Sequence, residues 1–144
     1  SKYTNYYVII LFVQQRINNT NMATLTPTLT LASAADQVSS DALSFSVTDE
    51  LNVAAPIINM SRKSIATGSA QDVLASNSAF SHVYLKCESS TNAAAFIQIK
   101  LGTAAVIKLR VGEFAFFPLY SGLVVQAEAY TADCVLEYAQ YSNG

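Results

Sequence analysis

Charge is scarce in this 144-residue chain. Asp, Glu, Lys and Arg make up 12% of it, where soluble domains carry about 25%. The formal net charge is −2. A protein that tracks nucleic-acid phosphates needs clustered Lys and Arg, so no nucleic-acid partner is expected. Lys86, Lys100, Lys108 and Arg110 do gather in one stretch, but Glu88 and Glu113 interrupt it. That pattern reads as a solvated sheet face. Tryptophan is absent, which removes a frequent sugar-stacking side chain. Two cysteines exclude a disulfide framework, and Cys87 and Cys134 lack CxxC spacing. One histidine, His82, cannot build a typical zinc site. There is no Asp-rich loop of the calcium-binding kind. No cofactor and no metal are therefore expected. Residues 6–13 form an unbroken apolar run, but a bilayer span needs about 20 such residues, so no membrane partner is expected.

Apolar residues make up 51% of the chain, and Thr, Ser, Asn, Gln and Ala supply much of the remainder. Such an exterior is easier to desolvate than one rich in Lys and Glu. It fits a chain packed against copies of itself or against another protein. The length suits one domain with a substantial core.

The dominant pattern is alternation. Side chains along a strand point to opposite faces, so a period of two marks a half-buried strand. Leu25, Leu29 and Leu31 alternate with threonines, and Pro27 in their midst predicts an edge strand or extended arm. Leu43, Phe45 and Val47 alternate with Ser and Thr, and Asp49-Glu50 predicts a turn. Residues 71–74 suit a brief strand or a single helical turn. Further on, Val83, Leu85 and Cys87 face inward, as do Ala95, Ile97, Ile99 and Leu101. Ala105, Ile107, Leu109 and Val111 form the next inward set.

A one-residue slip would turn a whole strand over, so these faces constrain the pairing. Ile99 is expected opposite Ile107, Ile97 opposite Leu109, Gln98 opposite Lys108 and Phe96 opposite Arg110. A two-residue loop would bring Lys108 to the core face, so a three- or five-residue loop is predicted. The same reasoning pairs the strand of Leu123, Val125, Ala127 and Ala129 with that of Cys134, Leu136 and Tyr138. It predicts an even loop centred on Thr131-Ala132. Both cysteines fall at inward positions. Buried free thiols are favoured, and a single bridge stays open.

No stretch keeps a helical period over three turns. Eight or nine short strands with turn signals between them predict an all-β fold. It is expected to be an antiparallel β-sandwich, jelly-roll-like, with an N-terminal extended arm. The expected division is an arm at 1–22 and a single sandwich domain at 23–144. Lys2 and the run at 6–13 resemble a signal peptide, but no small-x-small cleavage site follows. Ser1 fits loss of an initiator Met, and Met22-Ala23 looks like a second natural start. The arm could add to a neighbouring subunit's sheet edge, be an extra strand of its own domain, or have no selected role. The first two are favoured because so apolar a run would aggregate if exposed.

Catalytic chemistry has little to rest on. The carboxylates are scattered singly except Asp49-Glu50, and neighbours along a strand point apart. No base–nucleophile arrangement is recognisable around His82. The chain is expected not to be an enzyme. The most distinctive segment is Gly112-Glu113-Phe114-Ala115-Phe116-Phe117-Pro118, continued by Leu119-Tyr120. Gly112 predicts a turn or bulge. Both faces of the segment are apolar, as in a central sandwich strand or at a subunit contact. The candidate interface residues are Phe114, Phe116, Phe117, Pro118 and Tyr120, with Tyr7, Ile9, Leu11 and Val13 from the arm.

The order of a Val83-Tyr84-Leu85-Lys86 strand, an isoleucine-rich hairpin, Lys108-Leu109-Arg110-Val111 leading into Gly112-Glu113-Phe114, and a closing Leu136-Glu137-Tyr138 strand resembles a known group. It is similar to small virion structural proteins of tailed bacteriophages, particularly marine ones. The resemblance covers residues 77–141. It implies a capsid decoration, fibre, knob or tail protein. The implied partners are copies of itself, in a trimer or higher oligomer, and a major capsid or other virion protein. The implied location is the virion, and the host cytoplasm during assembly. It carries no catalytic residue. A carbohydrate- or receptor-binding β-sandwich module is the alternative, and a small enzyme built on scattered carboxylates is the third reading.

Overall fold

The computed structural model describes residues 22–35, 42–55, 60–120 and 123–142. Tyr7, Ile9, Leu11 and Val13 lie outside the described residues, as does the arm expected at their position. The chain divides into two compact units, Ser1–Ile57 with Gly144, and Ile58–Asn143. The described residues contain strands and no helix.

In the first unit, β1 (Met22–Leu25) pairs antiparallel with β4 (Leu51–Ala54), and β2 (Thr28–Ala32) with β3 (Ser44–Thr48). Met22 faces Ala54, Leu25 faces Leu51, Thr28 faces Thr48 and Ala32 faces Ser44. The register is the same on both sides of the gap, so the four strands form one continuous two-stranded ribbon. The gap has a local cause. The Asp49 N–H donates to the Pro27 carbonyl oxygen at 3.0 Å, and Pro27 has no N–H to return. A two-stranded ribbon has only edge strands, where proline is tolerated. Asp49-Glu50 is accordingly not the turn its composition suggests. The chain runs straight through it, opposite the proline.

The second unit is a sandwich of two four-stranded antiparallel sheets. One has the order β10 (Phe114–Pro118), β7 (Phe80–Ser90), β12 (Cys134–Ser142), β5 (Met60–Ile65). The other has the order β6 (Gln71–Leu74), β11 (Val125–Tyr130), β8 (Phe96–Leu101), β9 (Ala104–Arg110). The pairings are nested. β5 pairs with β12, β6 with β11, β7 with β10, and β8 with β9. The first of the eight strands thus meets the last, the second the seventh, and so inward. This is the connectivity of a jelly roll. Residues 71–74 are the strand β6.

The core lies between the sheets. Ile65, Val83, Leu85, Cys87, Cys134 and Leu136 come from one side. Leu74, Ile97, Ile99, Leu109, Val125, Ala127 and Ala129 come from the other. No polar or charged residue is buried among the described residues. Cys87 and Cys134 are both buried and both free.

Three local expectations are corrected. The predicted register of β8 and β9 holds from Phe96↔Arg110 to Ile99↔Ile107, but the loop is two residues, Gly102-Thr103. Gly102 has φ +64°, the first central position of a type II′ turn. A bulge beside Ile99 and Lys100 leaves Val106 unpaired and resets the register. It keeps Lys108 outward despite the short loop, and it turns Ala105 out. Val111 is also exposed, because it sits in the following turn.

The strands around Thr131-Ala132 form no hairpin. β11 pairs with β6 and β8, whereas β12 pairs with β5 and β7 in the opposite sheet. Their inward faces are as predicted. Two strands facing each other across a core show the same alternation as two neighbours in one sheet. The residues of the Phe114 strand lie at a sheet edge, not at its centre.

Candidate functional site

The chain leaves β9 and crosses to the other sheet through a turn at residues 110–113. The Glu113 N–H donates to the Arg110 carbonyl oxygen at 2.9 Å, and Gly112 has φ +92° at the third turn position. Positive φ at that position defines a type II turn and favours glycine. The Glu113 carboxylate reaches back to accept the Arg110 N–H at 2.8 Å. The Gly112 N–H donates to the Cys87 carbonyl oxygen at 2.7 Å, and the Cys87 N–H donates to the Glu113 carbonyl oxygen at 3.1 Å. Gly112-Glu113 is thus a corner that clamps the start of β10 onto β7.

From that corner the alternation is regular. Ala115, Phe117 and Leu119 turn toward the core. Phe114, Phe116, Pro118 and Tyr120 turn outward. Phe114 is 63% exposed and Tyr120 80% exposed, with Phe116 more than one-third open. β10 pairs only with β7, so its outer backbone edge is unpaired within the described sheet. Of the five candidate residues in this half of the chain, four are brought onto one open face. Phe117 is half-buried and packs against the core.

The rest of that sheet face comes from β7, β12 and β5. Phe116 lies opposite Tyr84, and its ring stacks on His82 with centroids 5.6 Å apart and planes 16° apart. Beside them Arg62 donates to Glu88 Oε2 at 2.7 Å and Glu137 Oε2 at 3.2 Å. Tyr84 Oη donates to Glu137 Oε1 at 3.0 Å. Partial burial, and then the bond to Glu137, push the Tyr84 phenol up to about 12. Aromatics occupy one edge of the face, and a partnered charge network occupies the middle. Sequence reading missed this network because Arg62, Tyr84, Glu88 and Glu137 come from three strands. The only signal was their common outward parity.

His82 Nδ1 lies 3.1 Å from Ser81 Oγ, and Ser81 Oγ donates to the Tyr141 carbonyl oxygen at 3.2 Å. The Ser81 hydroxyl thus lies between the imidazole and a backbone carbonyl. No group of three or more His, Cys, Asp or Glu suited to a metal ion occurs among the described residues.

The outer face of the second sheet has a different character. Phe96 and Tyr130 stack with centroids 5.0 Å apart, and Lys108 Nζ lies 4.1 Å from the Phe96 centroid. Tyr130 Oη bonds both Gln98 and Glu128, and Lys100 Nζ is 3.6 Å from Glu128. Gln126 donates to Asp72 at 2.7 Å. Here the Phe96 ring has both an aromatic and a cation as neighbours.

A cleft of about 310 Å³ lies where β5, β6 and β12 meet, lined in part by Ser61, Val73, Asn77 and Tyr138. It gathers amides, hydroxyls and apolar groups without a charged side chain. No protein-family model, curated protein or solved structure matches the chain.

Proposed function

We propose that the chain is a virion structural protein of tailed-bacteriophage type, which docks on a capsid or tail and self-associates. The observation that carries this reading is the outward face of β10. Phe114, Phe116, Pro118 and Tyr120 present a contiguous apolar strip on a sheet edge that is unpaired among the described residues. Large aromatics are common anchors of protein interfaces, and an open edge adds backbone donors and acceptors. The jelly roll supports the reading as a fold used in viral capsid proteins and in lectins. Fold alone does not assign function, so the weight rests on the strip. The sequence resemblance over residues 77–141 points the same way.

Docking would proceed by desolvation of this strip against a complementary groove, with no covalent chemistry. The test is co-purification with particles that contain a major capsid protein. The wild-type chain is expected to travel with the particles. Phe114→Ser/Phe116→Ser is expected to remain folded and be left behind. Equal retention of both proteins would sink the assignment of the strip. Binding to glycans with no particle association would favour the carbohydrate-binding alternative.

A further inference from the structure

The ribbon of the first unit has two unlike faces. Met22, Thr24, Thr28, Thr30 and Ala32 lie on one, against Ala54, Asn52, Thr48, Ser46 and Ser44. On that face Thr28 Oγ1 and Thr48 Oγ1 are 3.0 Å apart, and Thr30 Oγ1 and Ser46 Oγ are 3.4 Å apart. Its hydroxyls bond across the strands, as suits a face turned to water. Ala23, Leu25, Pro27, Leu29 and Leu31 lie on the other face, against Val53, Leu51, Asp49, Val47 and Phe45. Burial falls along this face. Val53 is fully buried and Leu25 and Leu51 are half-buried, whereas Leu29, Leu31, Leu43, Phe45 and Val47 are 45–53% exposed. An isolated two-stranded hairpin is marginal in water. One with five open apolar side chains at its distal half calls for a cover.

We infer that the cover is the same face of a second copy of this chain. Two observations favour a copy over a different partner. The distal half of the apolar face carries Leu29, Leu31, Ser33, Leu43, Phe45 and Val47, with no charge at all. Identical faces can therefore meet without like-charge repulsion, and nothing on them selects an oppositely charged partner.

Area is the second. A large apolar residue exposes about 150–200 Å² in full, so five half-open residues offer about 400 Å² per copy. Two copies bury about 800 Å² of apolar surface. At the roughly 65% apolar content of homodimer interfaces, that corresponds to about 1,200 Å² in total. Specific interfaces begin near that size. Face-to-face packing makes a small four-stranded sandwich, leucine and phenylalanine inside and threonine outside. The association is two-fold, since the same patch serves both copies.

This inference deepens the self-association part of the proposed function and uses a surface separate from β10. Native mass spectrometry of the full chain at low micromolar concentration tests it. The wild-type chain is expected as a dimer or an even-numbered oligomer. Leu31→Asp/Phe45→Asp is expected to weaken association at least tenfold. A wild-type monomer, or an oligomer unchanged by that variant, overturns it. So does a chain that associates only after Ser1–Asn21 is deleted, because its own segment was then the cover.

Since charge on the ribbon can also unfold it, cross-linking supplies a second reading on nearly native protein. Val47→Cys is expected to give covalent dimer with a short bismaleimide, and Ser46→Cys, on the opposite face, is not. Equal cross-linking at both positions overturns the assignment of the face. Loss of particle binding by Phe114→Ser/Phe116→Ser reports on docking alone, so the two ideas fail separately.

Discussion

Cys87 and Thr131 show how far single positions feel their surroundings. Burial, and then the neighbouring Cys134, push the Cys87 thiol up to about 12 from its ordinary 9.0. A folded-state value above the unfolded one means that the native protein holds its proton more tightly. That contribution to stability is complete below about pH 9 and is lost as pH rises toward 12. Tyr84, pushed from 10.0 to about 12, adds to the same alkaline loss. Urea denaturation is expected to show stability falling across pH 9–12, with a shallower fall for Cys87→Ala. A slope unchanged by that substitution would contradict the assignment.

Backbone conformation makes opposite demands at two corners. Gly112 has φ +92° with nothing within 4 Å of a would-be Cβ, so only conformation opposes a side chain there. Gly112→Ala is expected to cost about 1–2 kcal/mol in thermal or urea unfolding. Thr131 carries a β-branched side chain at φ +78°. Such a residue is strained in that region, so Thr131→Gly is expected to gain about 1 kcal/mol. A loss at Thr131→Gly would show that the side chain matters more than the strain.

Strand β10 divides stability from recognition along its two faces. Phe117 packs against the core, while Phe114 on the opposite face touches mainly solvent. Phe117→Ala is expected to cost about 2–3 kcal/mol, below the fully buried range because the side chain is only half covered. Phe114→Ala is expected to stay within about 0.5 kcal/mol of wild type. Parallel denaturation curves check both, and similar losses at the two positions would deny that the strand has two roles.

The double-sided apolar pattern of this segment was readable from its residues. Its edge position was not, because alternation reports which face a side chain takes and says nothing about how many neighbours the strand has. The same limit explains β11 and β12, whose inward residues were evident while their placement in opposite sheets was not. At β8 and β9 the faces did fix the pairing of Ile97 with Leu109. They could not distinguish a longer loop from a type II′ turn followed by a bulge at Val106. Pro27 was read correctly as an edge-strand proline, but Asp49-Glu50 was misread as a turn because a proline and its partner across a ribbon look, in one dimension, like two separate interruptions.

Taken together, the chain combines a jelly roll, whose described interior holds no buried polar residue, with a ribbon that is apolar on one side. Both units leave apolar side chains open in contiguous strips, not scattered singly. Contiguous exposed patches, unlike isolated exposed residues, mark interaction surfaces. With charged residues at 12%, little electrostatic repulsion opposes close packing of copies. The sandwich is expected to depend on its mixed apolar core, so Leu85→Ala or Ile97→Ala should lower stability by about 2–5 kcal/mol. Self-association should instead follow the ribbon, and docking the β10 strip. The charge network around Arg62 is 61% exposed at the arginine, so it shapes the face and adds little to folding.

The most direct measurement is gradient sedimentation of the chain with particles built on a major capsid protein, with wild type and Phe114→Ser/Phe116→Ser run side by side. Wild type is expected to move to the particle fraction and the double variant to stay at the top of the gradient, with both showing the same unfolding curve. Wild type remaining at the top beside intact particles would contradict the docking proposal.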